Sequence, residues 1–320
     1  MTMKVSLIIT VKNEAHSLPT LLDSIAAQTR QPDEVIICDG GSTDDTLEVL
    51  SNETRFPLRV IERPGSNISQ GRNAAMAEAA GEVIASVDAG VRLDPRWLEK
   101  IVEPIAAQQA VVVSGFFLPD GHTPFEIAMG ATVLPKLEDI DPGKFLPSSR
   151  SVAFTKAAWQ SVGGYPEWID YCEDLVFDFA LRDKYRPFAF APEAIAHFRP
   201  RSSLRSFFQQ YYQYARGDGK ANLWLERHLI RYATYFIAIP IIAIFSAKFS
   251  RWFAGLYIIG AALYLQRPYQ HLRSMLHGLN RSGQLQAVGW VPIIRVTGDI
   301  AKMIGYPIGI WWRIRNKSHF

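Results

Sequence analysis

Two apolar runs in this chain each end on an aspartate beside glycine. Val35-Ile36-Ile37-Cys38 leads into Asp39-Gly40-Gly41-Ser42-Thr43-Asp44, and Val83-Ile84-Ala85-Ser86-Val87 leads into Asp88-Ala89-Gly90. A short apolar run bounded by turn residues reads as a strand buried on both faces, as in a parallel sheet. In an open α/β sheet, ligands bind outside the carboxyl ends of the strands. Two carboxylates delivered there suit a ligand carrying a base, hydroxyls and a metal-bound phosphate.

The surrounding sequence repeats the alternation. Strands are expected at Val5–Val11, Val35–Asp39, Leu58–Glu62, Val83–Val87 and Val111–Phe117. Helices are expected between them, with Ser17, Ser42 or Thr43, and Ser69 as N-caps and Asp94 capping a helix over Pro95–Gln108. Strands alternating with helices imply βαβ units and a mostly parallel sheet with helices on both faces, an α/β class. After Leu118 the pattern loosens. Pro119–Leu146, rich in Pro, Gly and Asp, reads as a substrate-covering segment, followed by a strand at Ser151–Thr155, helices at Lys156–Val162 and Asp174–Lys184, and strands at Phe188–Ala191 and Ala194–Phe198.

Charge divides the chain. Residues 1–196 hold 17 Lys and Arg against 28 Asp and Glu, whereas residues 197–320 hold 17 against 3. The basic part also carries the long apolar runs, which points to a membrane surface. Nucleic acid is not an expected partner, because near-uncharged apolar stretches interrupt the basic residues. Tyr232–Ala247 and Trp252–Leu265 are uncharged but shorter than the ~20 residues of a straight membrane span. Gln286–Trp312 is broken by Arg295, Asp299 and Lys302 and suits an interfacial helix with aromatic anchors. Two spans or one re-entrant hairpin would fit. Lys248 and Arg251 at the far turn oppose the positive-inside tendency and favour the hairpin. Cys38 and Cys172 have no disulfide or zinc spacing, and Met1-Thr2-Met3-Lys4 runs straight into a strand. A reduced, cytoplasmic catalytic part with no signal peptide is the expectation.

Four further segments carry chemistry. Thr10-Val11-Lys12-Asn13-Glu14 closes the first strand, and Ser69-Gln70-Gly71-Arg72-Asn73-Ala74 opens a helix, where anions are favoured. Gly163-Gly164-Tyr165 precedes Glu173-Asp174, and Gln213-Tyr214-Ala215-Arg216-Gly217 follows. Over about residues 4–217 this set resembles the inverting nucleotide-sugar glycosyltransferases of family 2, which have the GT-A fold.

The resemblance implies roles. Asp39 would hydrogen-bond the nucleotide base, usually uracil, since a carboxylate accepts from a ring N–H. Thr10, Lys12, Glu14, Gly40, Arg72, Asp88 and Arg216 would join it around a nucleotide-sugar donor. Asp88-Ala89-Gly90 stands where the family has an Asp-x-Asp metal motif, and Gly90 lacks the second carboxylate. Mg²⁺ or Mn²⁺ would then be held by Asp88 with His197 as a second ligand. Asp174, beside Glu173, would deprotonate the acceptor hydroxyl as general base. Gly217 stands where processive members carry tryptophan, which implies addition of a single sugar. The implied organisation is a glycosyltransferase domain at 1–218, with a nucleotide-sugar half at 1–118 and an acceptor half at 119–218, then a membrane-associated helical region at 219–320. The implied activity is transfer of one sugar, from a UDP-linked donor, to a lipid-linked or cell-envelope glycan acceptor at the cytoplasmic face of the membrane. A polyprenyl-phosphate glycosyltransferase and a non-catalytic membrane scaffold are the rival readings. Nothing in the sequence indicates the oligomeric state.

Overall fold

The computed structural model describes residues 3–316. Its chain forms two compact units. The first runs to Leu118 and resumes over Leu137–Arg199; the second comprises Pro119–Lys136 and the chain from Pro200 onward.

The first unit is an α/β sheet. In chain order it contains β1 (Val5–Val11), α1 (Leu18–Ala26), β2 (Glu34–Asp39), α2 (Thr46–Ser51), β3 (Leu58–Glu62), α3 (Ile68–Glu78), β4 (Val83–Asp88), β5 (Val91–Leu93), α4 (Trp97–Ala106) and β6 (Val112–Pro119). The second unit contributes α5 (Pro124–Val133); the first resumes with β7 (Val152–Thr155), α6 (Lys156–Ser161), α7 (Glu173–Lys184) and β8 (Ala189–Phe198). Strand order is β3-β2-β1-β4-β7-β6-β8-β5. The first four strands pair in parallel, as the alternation predicts; β7 pairs antiparallel with β4 and β6, and β5 pairs antiparallel with β8.

Side-chain parity explains the layers. Odd positions of β1, β2 and β4 (Leu7, Ile37, Ala85) face one core with α1 and α4, whereas Ile8, Ile36 and Ile84 face a second core with α3 and α7. Strands covered on both sides read as near-continuous apolar runs; Val5–Ile9 are all buried, and the one polar side chain among them, Ser6, donates to Glu34 Oε1 at 2.5 Å. Each such aliphatic side chain contributes roughly 1.5–3 kcal/mol by burial.

Several local expectations are corrected. The N-cap of α3 is Asn67, not Ser69: Asn67 and Gln70 form a reciprocal capping box, one turn ahead of Arg72. The N-cap position of α2 is Asp45 rather than Ser42 or Thr43, whose hydroxyls serve the loop before it. Asp94 does not cap α4, whose first helical residue is Trp97; its carboxylate meets His197 instead. Phe188–Ala191 and Ala194–Phe198 form one continuous strand. Pro119–Leu146 contains a helix, α5, started by a Thr123–Glu126 capping box.

The second unit is helical. It packs α5 with α8 (Leu204–Lys220), α11 (Gly255–Met275) and α12 (Arg281–Arg315) around Phe125, Phe207, Leu272 and Val291. Between α8 and α11 come α9 (Leu225–Ala233) and α10 (Ile239–Lys248). A π turn at Thr234–Ala238 joins α9 and α10, so Leu225–Lys248 is one helix of 24 residues with mean hydropathy 1.8 and no burial in its apolar stretch. Among the described residues it is the one helix long and apolar enough to cross a membrane. The apolar run from Tyr232 alone was too short, because the turn carrying Glu226, Arg227 and Arg231 hides the helix start. Cβ atoms added at Gly219, Gly305 and Gly309 would collide with the facing backbone of α12 or α8. Gly217, which the sequence reading tied to single-sugar addition, is buried in this same glycine-bearing helix. Small residues let helix backbones approach closely.

Candidate active site

Register brings the two aspartates of the opening motifs beside one strand. Val11 of β1 pairs with Asp39 of β2, and Thr10 pairs with Asp88 of β4. Parity then separates their roles. Asp88 continues the even positions of β4, on the side of α3 and α7, whereas Asp39 continues the odd positions of β2 on the other face.

Asp39 is 1% exposed and organises the loop that follows it. One carboxylate oxygen accepts from the Gly41 and Ser42 amides at 2.8 and 2.9 Å, and the other accepts from the Ser42 hydroxyl at 2.5 Å. The first motif is stitched to this loop. Asn13, in the left-handed region at φ 57°, donates its amide to Ser42 Oγ at 2.8 Å and accepts from the Thr43 amide at 2.7 Å. The Glu14 amide donates to Thr46 Oγ1 at 2.9 Å. Lys12 is exposed beside Gly40, and Thr10 is half-buried.

Arg72 is the hub on the other face. It is 2% exposed, and the chain reaches it through Gly71, whose missing side chain lets α3 approach Thr10 and Cys38 closely. One terminal nitrogen donates to Asp88 Oδ1 at 2.9 Å, and the other donates to Glu173 Oε1 at 2.8 Å. Its guanidinium also lies 5.1 Å from the centre of the Tyr165 ring. Residues 101 positions apart in sequence are thus joined by a buried ion pair.

Glu173 and Asp174 form the first turn of α7, entered through Cys172 at φ 65°. Burial pushes both carboxyls above the ordinary carboxylate range, against the pull of Arg72. Glu173 is committed to Arg72. Asp174 accepts from the Leu175 amide at 2.9 Å and shares the local field of Asp88 and Arg150. One turn further, burial raises the Asp178 carboxyl well above its usual value.

The sequence reading quoted Asn73 and Tyr165 within motifs but gave them no role, and it did not mark Arg150. Asn73 accepts from the Tyr165 amide at 2.8 Å and the Trp159 indole at 3.1 Å, while its amide nitrogen donates to Tyr165 O at 2.8 Å and Glu167 Oε1 at 2.9 Å. It thereby clamps the Gly163-Gly164-Tyr165 segment to α3. Arg150 lies 3.8 Å from Asp88 Oδ2 and stacks over Phe198 at 4.5 Å. Tyr165 stacks on Phe177 of α7 at 4.0 Å. Adjacency to Arg72 was the available signal for Asn73; nothing local marked Arg150.

His197 and Asp88 were the expected metal ligands. His197 Nε2 is 2.8 Å from Asp94 Oδ1, and Asp88 is engaged by Arg72. Among the described residues no three His, Cys, Asp or Glu side chains converge as a metal cage. Arg216 belongs to the second unit, on α8.

Comparison with known proteins supplies a family. Residues 6–154 match Glycosyl transferase family 2. The uncharacterized glycosyltransferase alr2836 of Nostoc sp. is 34% identical over 141 residues, 43% of this chain and 44% of that protein. The O-antigen chain rhamnosyltransferase RfbN of Salmonella typhimurium is 24% identical over 222 residues, 66% of this chain and 71% of that protein. Among solved structures, the mannosyltransferase PcManGT of Pyrobaculum calidifontis, in complex with GDP-Man and Mn²⁺, aligns with TM-score 0.64 at 18% identity. That alignment covers 95% of this chain and 88% of that one, a likeness of fold.

Proposed function

The chain is a family 2 glycosyltransferase, and from that premise we propose that it moves one sugar from a nucleotide-sugar donor, UDP-linked, to a hydroxyl of a lipid-linked or cell-envelope glycan acceptor. The observation that carries this reading is the Arg72 bridge. It ties the strand-tip carboxylate Asp88 to Glu173 at the head of α7, and so brings Asp174 into the charge field of Asp88.

The proposed chemistry divides the labour. Asp39, Gly40, Thr10, Lys12 and Glu14 belong to the loops that would hold the nucleotide. Asp39 orders the loop amides that would face the base. Arg72 favours the ionised form of Glu173 and fixes its position, which leaves the neighbouring Asp174 to act as general base. Asp174 takes the proton from the acceptor hydroxyl; the acceptor oxygen bonds to the anomeric carbon, and the carbon–oxygen bond to the nucleoside diphosphate breaks on the opposite face. The configuration inverts. A raised carboxyl is a better match to this work than an ordinary one, because catalytic pKa values near the operating pH are the most effective.

Asp88 offers one carboxylate to a divalent cation. Mg²⁺ commonly uses one or two carboxylates together with substrate phosphates, so this donor set fits that mode of binding. His197, oriented by Asp94, would supply a nitrogen. When bound, the cation offsets charge on the leaving diphosphate. Leu225–Lys248 supports attachment to a membrane, at the cytoplasmic face where nucleotide sugars are made available, and the glycosyltransferase division at 1–218 is retained as a functional boundary.

The test is Asp174→Asn. Donor binding, read as a melting shift, should persist, while transfer falls by about 10²–10⁴-fold, the usual worth of a positioned base. Near-normal turnover removes the base assignment. If Asp174→Asn still glycosylates a polyprenyl phosphate and the wild type ignores glycolipid hydroxyls, the phosphate-acceptor reading replaces this one.

A further inference from the structure

We propose that the helical unit binds the phosphate of an anionic lipid at a cationic site formed by Arg231, Arg295 and Lys302 around Asp299. The sequence already shows the imbalance: residues 197–320 carry 17 Lys and Arg but only Asp218, Glu226 and Asp299 as acids. On α12, Arg295, Asp299 and Lys302 are spaced by four and three residues and share one helix face.

Asp299 is fully engaged. It accepts from Arg231 Nε at 2.7 Å through one oxygen, and from the Tyr264 and Tyr235 hydroxyls at 2.5 and 3.2 Å through the other. It therefore offsets one cation. Arg295 lies over the Tyr264 ring at 4.8 Å, and its buried Nε has no hydrogen-bond partner among the described residues. Lys302 sits over the Tyr211 ring at 4.9 Å; its charged neighbours are Arg231, Arg295, Asp299 and Asp218. Asp218 is itself 3.3 Å from His228. Arg295 and Lys302 are thus both partly buried, and the cations around them outnumber the carboxylates. Charges removed from water are costly unless paired.

Two features identify the counter-ion. A phosphate monoester carries about −1.5 to −2 charge near neutral pH, enough to offset the cations that Asp299 and Asp218 leave over, and the arginine fork matches its oxygens. The same helices expose Ile230, Ile300 and Ile304 at 67%, 41% and 47%. A ligand with a charged head and an apolar chain satisfies both surfaces, which a soluble phosphate does not.

Binding needs no sugar donor, so the outcome is independent of the transfer reaction proposed above. The full chain in a neutral maltoside detergent would be melted against dodecyl phosphate, dodecanol and inorganic phosphate. Binding to the folded state raises the melting temperature by mass action. The expected result is a saturable rise with dodecyl phosphate that neither control reproduces. Half-saturation should move at least about tenfold higher in Arg295→Gln, as for loss of a charged hydrogen bond, and largely recover in Arg295→Lys. An equal rise with dodecanol would reduce the effect to apolar binding and overturn the proposal. An equal rise with inorganic phosphate would make it a soluble-anion site and overturn the lipid assignment. No rise in the wild type, or an unchanged half-saturation in Arg295→Gln, would also overturn it. Lys302→Gln repeats the comparison if Arg295→Gln fails to fold.

Discussion

Replacing Arg72 by methionine keeps most of the side chain's apolar length and removes its charge. The structure sets the expected cost. Arg72 is the cation between Asp88 and Glu173, at 2.9 and 2.8 Å, and its side chain is 3% exposed. Removing one partner of a buried ion pair costs about 3–5 kcal/mol, because the other charge stays buried without compensation. Asp88 is 33% exposed at its side chain, so water recovers much of its share. Glu173, at 10%, carries most of the loss. For a unit of this size each kcal/mol lowers the melting temperature by about 2–4 °C, which gives a fall of roughly 6–20 °C near pH 7.5.

The pH dependence separates this explanation from simple loss of packing. Without Arg72, the Glu173 carboxyl titrates higher still, since burial and Asp174 both raise it and Arg72 was the opposing influence. Linkage then works against the variant as pH rises. Relative to wild type, its deficit grows through the interval between the two Glu173 pKa values and shrinks towards pH 5, where a protonated Glu173 needs no cation. Calorimetric scans of wild type, Arg72→Met, Glu173→Gln and the double variant from pH 5 to 8 measure this. The two changes should be non-additive by about 1–3 kcal/mol. A deficit that is independent of pH, or additive behaviour in the double variant, would refute the ion-pair account.

Two further outcomes follow from the same site. Because burial raises the Asp174 carboxyl and the base must be ionised, kcat/KM should fall on the acid side at a pH above the ordinary aspartate value of about 3.9, and a pH–rate profile that stays flat down to pH 4 would contradict it. A Cβ built at Gly90 meets nothing within 4 Å, so Gly90→Asp has room to supply the missing second carboxylate and should tighten Mn²⁺ binding, measured by titration calorimetry with donor present; unchanged affinity would show that a carboxylate at position 90 does not reach the cation.

Local sequence carried a large part of the fold. Apolar runs ending on Asp39 and Asp88 were readable because a strand buried on both faces is apolar at nearly every position, and turn residues mark where it stops. The Glu173-Asp174 pair was readable from its motif, and α5 could have been read from Thr123 and Glu126, whose capping box was hidden by the surrounding Pro and Gly. Other features had no local signature. The antiparallel addition of β7, β6, β8 and β5 depends on pairings between distant segments, and so does the diversion of Asp94 from a helix cap to His197.

For this protein, the amino-acid order by itself determined the strand ends, the loop chemistry after Asp39, the family resemblance and the charge contrast between its two parts. Periodicity, turn preference and ionisable side chains act over a few residues and can be read in a line. Only tertiary structure decided which carboxylate Arg72 neutralises, that Asn73 holds the Tyr165 segment, and that Arg231 pairs with Asp299. Ion pairing depends on distance in space and on exclusion of water, and a chain acquires both only when α3 meets α7, or α9 meets α12.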